Sequence, residues 1–110
     1  MIVCTLRLLL SETDRLQVIA SLTPLTGYIK VQPGCRACHL LADIEEPRAL
    51  VLLEEWETQE HLDCHLRSED YRRVIAAMEL SQEAPEIRFD CVETRGGFEV
   101  VEAARMPRTQ

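Results

Sequence analysis

Every even-numbered residue from 2 to 10 is apolar: Ile2, Cys4, Leu6, Leu8 and Leu10. The odd positions mix Val3, Thr5, Arg7 and Leu9. Side chains alternate across a strand, so this pattern predicts a β-strand with one fully buried face. Such a face needs a second layer packed on it. The following segment supplies one. Ser11 stands three residues before Asp14 as an N-cap, and Val18, Ile19, Leu22, Leu25 and Ile29 follow at helical spacing. Pro24 and Gly27 predict that this helix is kinked or broken into two pieces.

Gln32-Pro33-Gly34 reads as a turn, Cys35 to Asp43 as a second strand and Glu45-Glu46-Pro47 as the turn after it. Ala49 to Glu57 is a third strand, joined to the second as a hairpin. Its one face carries Leu50, Leu52, Glu54 and Trp56, and the other Val51, Leu53 and Glu55. Thr58 caps a short helix with His61, Leu62, His65 and Leu66. Ser68 caps the next, with Tyr71, Val74, Ile75 and Met78 as its stripe. Pro85 opens a fourth strand in which Ile87, Phe89 and Cys91 alternate with Arg88, Asp90 and Val92. Arg95-Gly96-Gly97 is a turn or bulge, and Phe98 to Ala104 reads as a last short extended segment.

This order is the α+β, ferredoxin-like split βαβ arrangement, a four-stranded antiparallel sheet with helices on one face. It makes one domain of residues 1–104 with a tail at 105–110. The 110 residues leave little chain to cover the second sheet face, so a partner subunit is the simplest cover. The balance of 12 basic against 19 acidic residues, a net charge of -7, opposes binding to nucleic acid or to an anionic membrane surface. No run of 18 uncharged apolar residues is present for a membrane span. The start, Met1-Ile2-Val3-Cys4-Thr5-Leu6-Arg7, lacks the order of a secretory signal, so a cytoplasmic protein is expected. In that reducing setting the five cysteines, at 4, 35, 38, 64 and 91, are expected to be free and mostly buried.

Several short segments carry a family resemblance. Met1-Ile2-Val3 leading into a strand, the Pro33-Gly34-Cys35 turn, Leu53-Glu54-Glu55-Trp56-Glu57-Thr58 and His65-Leu66-Arg67-Ser68 resemble the antibiotic biosynthesis monooxygenase (ABM) domain, from Ile2 to about Ala104. The resemblance implies a homodimeric α+β barrel in which two sheets pack face to face, each subunit holding a pocket between sheet and helices. It implies a monooxygenase without a cofactor, in which a small aromatic, phenolic or quinol-like substrate itself activates dioxygen. Other members degrade haem, and many have no assigned substrate.

Glu54 is the first candidate for chemistry, a carboxylate on an apolar strand face beside Trp56. Desolvation favours the neutral form of a carboxyl and can tune it as a general base. The substrate anion that a base creates reacts with dioxygen far faster than the neutral form. The competing reading is a structural ion pair with Arg7 or Arg88. Trp56 is either a core aromatic or a substrate platform. His65 falls where the family commonly has histidine, as a proton carrier or else as a histidine bonded to the backbone. His61, Tyr71 and Phe89 are further candidates for the pocket lining.

Other motifs point elsewhere. His61 and His65 have a metal-binding spacing, but Leu62 stands where the metalloprotease pattern needs glutamate, and no third ligand is evident. Cys35-Arg36-Ala37-Cys38-His39 spells the c-type haem motif. The motif falls in the second strand, however, where Cys35 and Cys38 are expected to point to opposite faces, which does not suit two thioethers on one porphyrin edge. The haem-degrading members resemble this chain at Trp56, but the resemblance implies an axial histidine in the helix corresponding to residues 68–80 and an asparagine in the first strand; residues 68–80 hold no histidine and Ile2 to Leu10 no asparagine, so haem degradation is not expected. The second functional reading is a non-catalytic dimeric module that binds a small molecule or serves in stress.

Overall fold

The computed structural model describes residues 1–107. Its elements are β1 (Ile2–Leu9), α1 (Glu12–Lys30), β2 (Cys35–Ala42), β3 (Ala49–Trp56), α2 (Gln59–Leu66), α3 (Tyr71–Glu79), β4 (Glu86–Cys91) and α4 (Phe98–Arg105). The strands form one antiparallel sheet in the order β2-β3-β1-β4. This is the ferredoxin-like α+β fold read from the sequence.

The alternation in β1 is realised without a break. Ile2, Cys4, Leu6 and Leu8 are buried, and the odd positions are half-buried. The buried face meets α1 through Val18, Leu22, Leu25 and Ile29, with Ile19 packed at the margin. Ser11 caps α1, its side chain accepting the N–H of Asp14. The helix runs unbroken through Pro24 and Gly27, contrary to the expected break. Both residues lie on the exposed side of α1, where a carbonyl that loses its partner to proline is met by water. The four buried residues on the opposite side hold the helix in one piece.

Three further expectations need correction. Phe98–Arg105 is helical rather than extended. A segment this short and alternately apolar fits either period, and Glu99 at its first turn favours the helix. This helix crosses the expected boundary at residue 104, and residues 108–110 of the expected tail lie outside the described residues. The buried stripe of α3 is Tyr71, Val74 and Ala77, with Ile75 turned outward and Met78 packed at the edge. Of the five free cysteines, Cys4 and Cys38 are buried, Cys35 is half-buried, and Cys64 and Cys91 are exposed.

The β2–β3 ladder contains an irregularity that matters for the site. Cys35 pairs with Trp56 and Ala37 with Glu55, so Arg36 is an extra residue between them. A bulge of this kind shifts the alternation by one. Cys35 and Cys38 therefore stand on the same face, beside Trp56 and Glu54 respectively. The expectation that they point to opposite faces is wrong, because it assumed a regular strand.

Candidate functional site

The pairing register places Glu54 in the middle of one cross-strand row. Cys4 of β1 lies on one side and Cys38 of β2 on the other, and Phe89 of β4 continues the row beyond Cys4. Glu54 is on the helix-covered face for the reason visible in the sequence, its parity with Leu50, Leu52 and Trp56. It is only 2 % exposed. A buried carboxylate needs partners, and Glu54 has two. The indole Nε1–H of Trp56 donates to its Oε1 at 2.9 Å. Nε2 of His65 lies 3.0 Å from the same oxygen.

That second contact is close but not a formed hydrogen bond. Nε2 lies off the line that an N–H donor requires, and Nδ1 has no partner either. A small turn of the imidazole ring would bring Nε2 into line with the carboxylate oxygen 3.0 Å away. The ring is fixed by its neighbours instead. It stacks on Trp56 with centroids 4.7 Å apart and an interplanar angle of 24°, and it meets Tyr71 edge-on at 5.2 Å.

Local sequence explains how the helices present these rings. Thr58 caps α2 by accepting the His61 N–H. At the other end Ser68 donates to the His65 carbonyl at 2.7 Å, and its hydroxyl lies 3.4 Å from the Tyr71 N–H. One serine thus ties the end of α2 to the start of α3 and sets His65 and Tyr71 side by side.

The site is chemically quiet apart from Glu54 and His65. Burial, reinforced by the negative charge of Glu54, pushes the Cys4 and Cys38 thiols up to about 12. The Tyr71 hydroxyl is pushed up to about 12 chiefly by burial, with Cys4 and Glu54 adding to it. Cys35 is raised in the same direction, also mainly by burial. These groups stay neutral at ordinary pH and act as packing. The fully buried Cys38 has no access for a thioether to a porphyrin edge, so the haem-attachment spelling is incidental.

Glu54, Trp56, His65 and Tyr71 form one contiguous cluster. His61 and Phe89 stand outside it. His61 is half-buried, with Nδ1 2.7 Å from the Thr58 hydroxyl and its ring against Gly34. Gly34 has φ +81, and a side chain there would collide with the His61 ring. Phe89 sits on the edge strand and is 44 % exposed. The ion pair of Glu54 with Arg7 or Arg88 is not formed. Arg7 bonds Asp43 at 3.2 Å and Arg88 bonds Asp90 at 2.9 Å, and both arginines occupy the opposite face of the sheet. Among the described residues no group of three or more His, Cys, Asp or Glu is arranged to hold a metal ion. No helix there is long and apolar enough to cross a membrane.

Sequence reasoning missed the two cysteines flanking Glu54. The parity of Cys4 with Leu6 and Leu8 was the available signal for one. The other required the bulge, which nothing in the sequence marks. It also missed the role of Ser68 as a tie between two helices.

None of the curated proteins matches the chain in sequence. Solved structures match its fold. A crystal structure of an antibiotic biosynthesis monooxygenase is 22 % identical with a TM-score of 0.74, covering 84 % of this chain and all of that one. Rv0793 from Mycobacterium tuberculosis is 20 % identical at TM-score 0.76, covering 86 % of this chain and 98 % of its own. Protein SO0527 from Shewanella oneidensis is 23 % identical at TM-score 0.73, covering 81 % and 87 %. At these identities the likeness is one of fold alone. The family model described as antibiotic biosynthesis monooxygenase matches residues 1–77, which hold Glu54, Trp56, His65 and Tyr71. On that match, the chain belongs to the antibiotic biosynthesis monooxygenase family.

Proposed function

We propose that this protein is a cofactor-independent monooxygenase that oxidises a small aromatic, phenolic or quinol-like substrate with dioxygen. Family membership supports a general monooxygenase-like role. The observation that carries the finer reading is the buried Glu54 carboxylate, whose one close basic neighbour is an imidazole rather than an arginine. An arginine neighbour would only hold the carboxylate as an ion pair, whereas an imidazole is itself a group that can take up or give up a proton, as general acid–base chemistry requires.

In this mechanism Glu54 and His65 take the proton from a substrate hydroxyl. The resulting anion gives electrons to dioxygen. One oxygen atom enters the substrate and the other leaves as water. The product carries one oxygen more and two hydrogens fewer than the substrate, so the substrate's own oxidation supplies the electrons and no external reductant is consumed. Trp56 and Tyr71 present apolar ring surface on which a planar substrate rests. The cluster is closed in this conformation, with Glu54, His65 and Trp56 each at most 2 % exposed. Substrate entry therefore requires the short α2–α3 segment, which carries His65 and Tyr71, to move away from the sheet. A dimer in which two sheets pack face to face is part of this reading, since Val3, Leu9, Val51 and Leu53 leave the second face only half-buried.

The closure of the cluster is also the one observation that favours the second reading, a non-catalytic dimeric binding module. Oxygen uptake with a panel of simple hydroquinones and polyphenols separates the two. Uptake above the autoxidation blank, lost in Glu54→Gln, is the expected result. The glutamine keeps an acceptor for the Trp56 N–H and removes only the base. Uptake by Glu54→Gln at the wild-type rate would remove Glu54 from the mechanism, and no uptake across the panel would favour the binding module.

A further inference from the structure

We propose that the hollow where α2 leaves β3, on the β4 side of the sheet, is the mouth of the Glu54 cluster, and that its acidic rim selects an uncharged phenol over an anionic one. The inference rests on the substrate class proposed above. It adds the route by which that substrate arrives and the charge it must have.

The pairing register places the hollow one side chain away from the cluster. In the cross-strand row next to that of Glu54, Trp56 of β3 pairs with Ile2 of β1, and Ile2 pairs with Cys91 of β4. Residues paired in this way share a face, here the one the helices cover. Trp56 is fully buried, Ile2 is 7 % exposed and Cys91 is exposed. The row therefore runs from solvent to the indole with Ile2 between. A concavity of about 400 Å³ includes Ile2 and Cys91 in its lining, with Thr58 and Gln59 from the start of α2. Pockets for small ligands begin at about 300 Å³, so a single aromatic ring finds room.

The opposite flank is shut. α1 packs against β2, and Cys38, the neighbour of Glu54 on that strand, is fully buried. β4 has no such cover, since Ile87, Phe89 and Cys91 on its helix-side face are all exposed. When α2 lifts from the sheet, the gap it leaves meets water on the β4 side. The frame of the mouth is held meanwhile. The Glu57 N–H donates to the Gly34 carbonyl at 2.8 Å, and the Val92 N–H to the Met1 carbonyl at 2.9 Å. A dimer that packs the second sheet faces together leaves this side open.

The charge of the rim sets what passes. Glu57 and Glu93 belong to the lining, both are exposed, and neither takes part in an ion pair among the described residues. Against these two carboxylates the lining sets one cation, the amino group of Met1. The rim is net negative on a protein of net charge -7. An aromatic carboxylate is repelled there, whereas a phenol or quinol is neutral until it meets the base. Exposed charges are screened by salt, so the discrimination is a matter of a few-fold.

The test uses thiols already in place. Cys91 lies in the mouth, and Cys64, exposed on α2 outside it, is the internal control. The probes are para-hydroxybenzamide and para-hydroxybenzoate, which are alike in shape and differ in charge. Labelling of both thiols by a neutral maleimide is followed by mass spectrometry. The amide is expected to slow Cys91 at least threefold and to leave Cys64 unchanged. The carboxylate should need at least a threefold higher concentration for the same protection, and Glu57→Gln combined with Glu93→Gln should remove that difference. The route is tested by acrylamide quenching of Trp56. Ile2→Ala, with its fold checked by circular dichroism, should raise the quenching constant at least threefold, and a maleimide on Cys91 in a Cys64→Ser background should bring it back. Ile2→Val replaces it if the alanine variant does not fold. Unprotected Cys91, or quenching that the block at Cys91 leaves unchanged, would overturn the mouth. Equal protection by the two probes would overturn the selection by charge. None of these readings needs turnover. Oxygen uptake with Cys91 unprotected would sink the mouth while the monooxygenase stands, and protection without uptake on any substrate would do the reverse.

Discussion

Cys4 and Cys38 flank Glu54 on the sheet, and Tyr71 closes the cluster from above; burial dominates all three, and only Cys38 has an opposing influence, the charge of Lys30, which burial outweighs. Burial and the Glu54 charge move both thiols from an ordinary 9.0 to about 12, and the tyrosine from 10.0 to about 12. The folded values lie above the unfolded ones. The stabilisation is therefore whole below about pH 9 and is lost as the pH rises towards 12. At pH 11 an unfolded thiol is almost fully ionised while a folded one is not, which costs roughly 2.5–3 kcal/mol for each cysteine and about 1.4 kcal/mol for the tyrosine. All three groups depend on one shared environment, so their sum of about 7 kcal/mol is an upper bound, comparable with the whole stability of a small domain. With a urea slope of about 2 kcal/mol/M, the unfolding midpoint should fall by roughly 2–3 M between pH 8 and pH 11. Alkaline discharge of lysine adds almost nothing, since Lys30 is the only one. The assay is urea unfolding followed by far-ultraviolet circular dichroism across that range, with the Cys4→Ala, Cys38→Ala double variant compared against its own value at pH 8. The variant should lose most of the pH dependence. A wild-type midpoint that stays flat, or a variant that falls as steeply, would refute the argument.

Three other outcomes are expected. Glu54→Ala should cost roughly 3 kcal/mol or more in urea unfolding, because it orphans the buried Trp56 N–H and opens a cavity, whereas Glu54→Gln should cost about 1 kcal/mol; equal losses would argue against the Trp56 hydrogen bond. Gly34→Ala should destabilise by more than about 1 kcal/mol, since it adds a left-handed backbone penalty to a collision with the His61 ring, and a neutral result in thermal unfolding would contradict the packing of His61 on this turn. In the native protein a thiol reagent should modify Cys64 and Cys91 rapidly and Cys4 and Cys38 only on unfolding; fast labelling of all five would show that the Glu54 row opens readily.

Much of the fold is legible in the sequence because the sheet depends on parity. The alternation in β1 and β3 fixes which side chains are buried, and by itself it puts Glu54 and Trp56 on one face. The helical stripe of α1 is equally plain, and the error there concerns breakers that lie on the exposed side. Parity fails where one residue is added, at Arg36, since a bulge leaves no compositional trace and reverses the face of what precedes it. The segment 98–105 is ambiguous for another reason. Eight residues with few packing partners in their own chain give neither period an advantage. In the site, the partnership of Glu54 with His65 is beyond sequence reasoning, because it depends on how α2 and α3, tied at Ser68, are laid against β3, and no periodicity within one element carries that placement.

Trp56 is the only tryptophan in the chain, and it is fully buried with its N–H on Glu54 and its ring on His65. The protein therefore carries its own optical probe at the place where substrate would have to enter. Any molecule that lifts α2 from the sheet removes the stacked imidazole and admits either water or a ligand ring to the indole. Its emission should shift to longer wavelength in the first case and be quenched in the second. A collection of candidate compounds can thus be screened on the unlabelled wild-type protein by intrinsic fluorescence alone, before any turnover has been found.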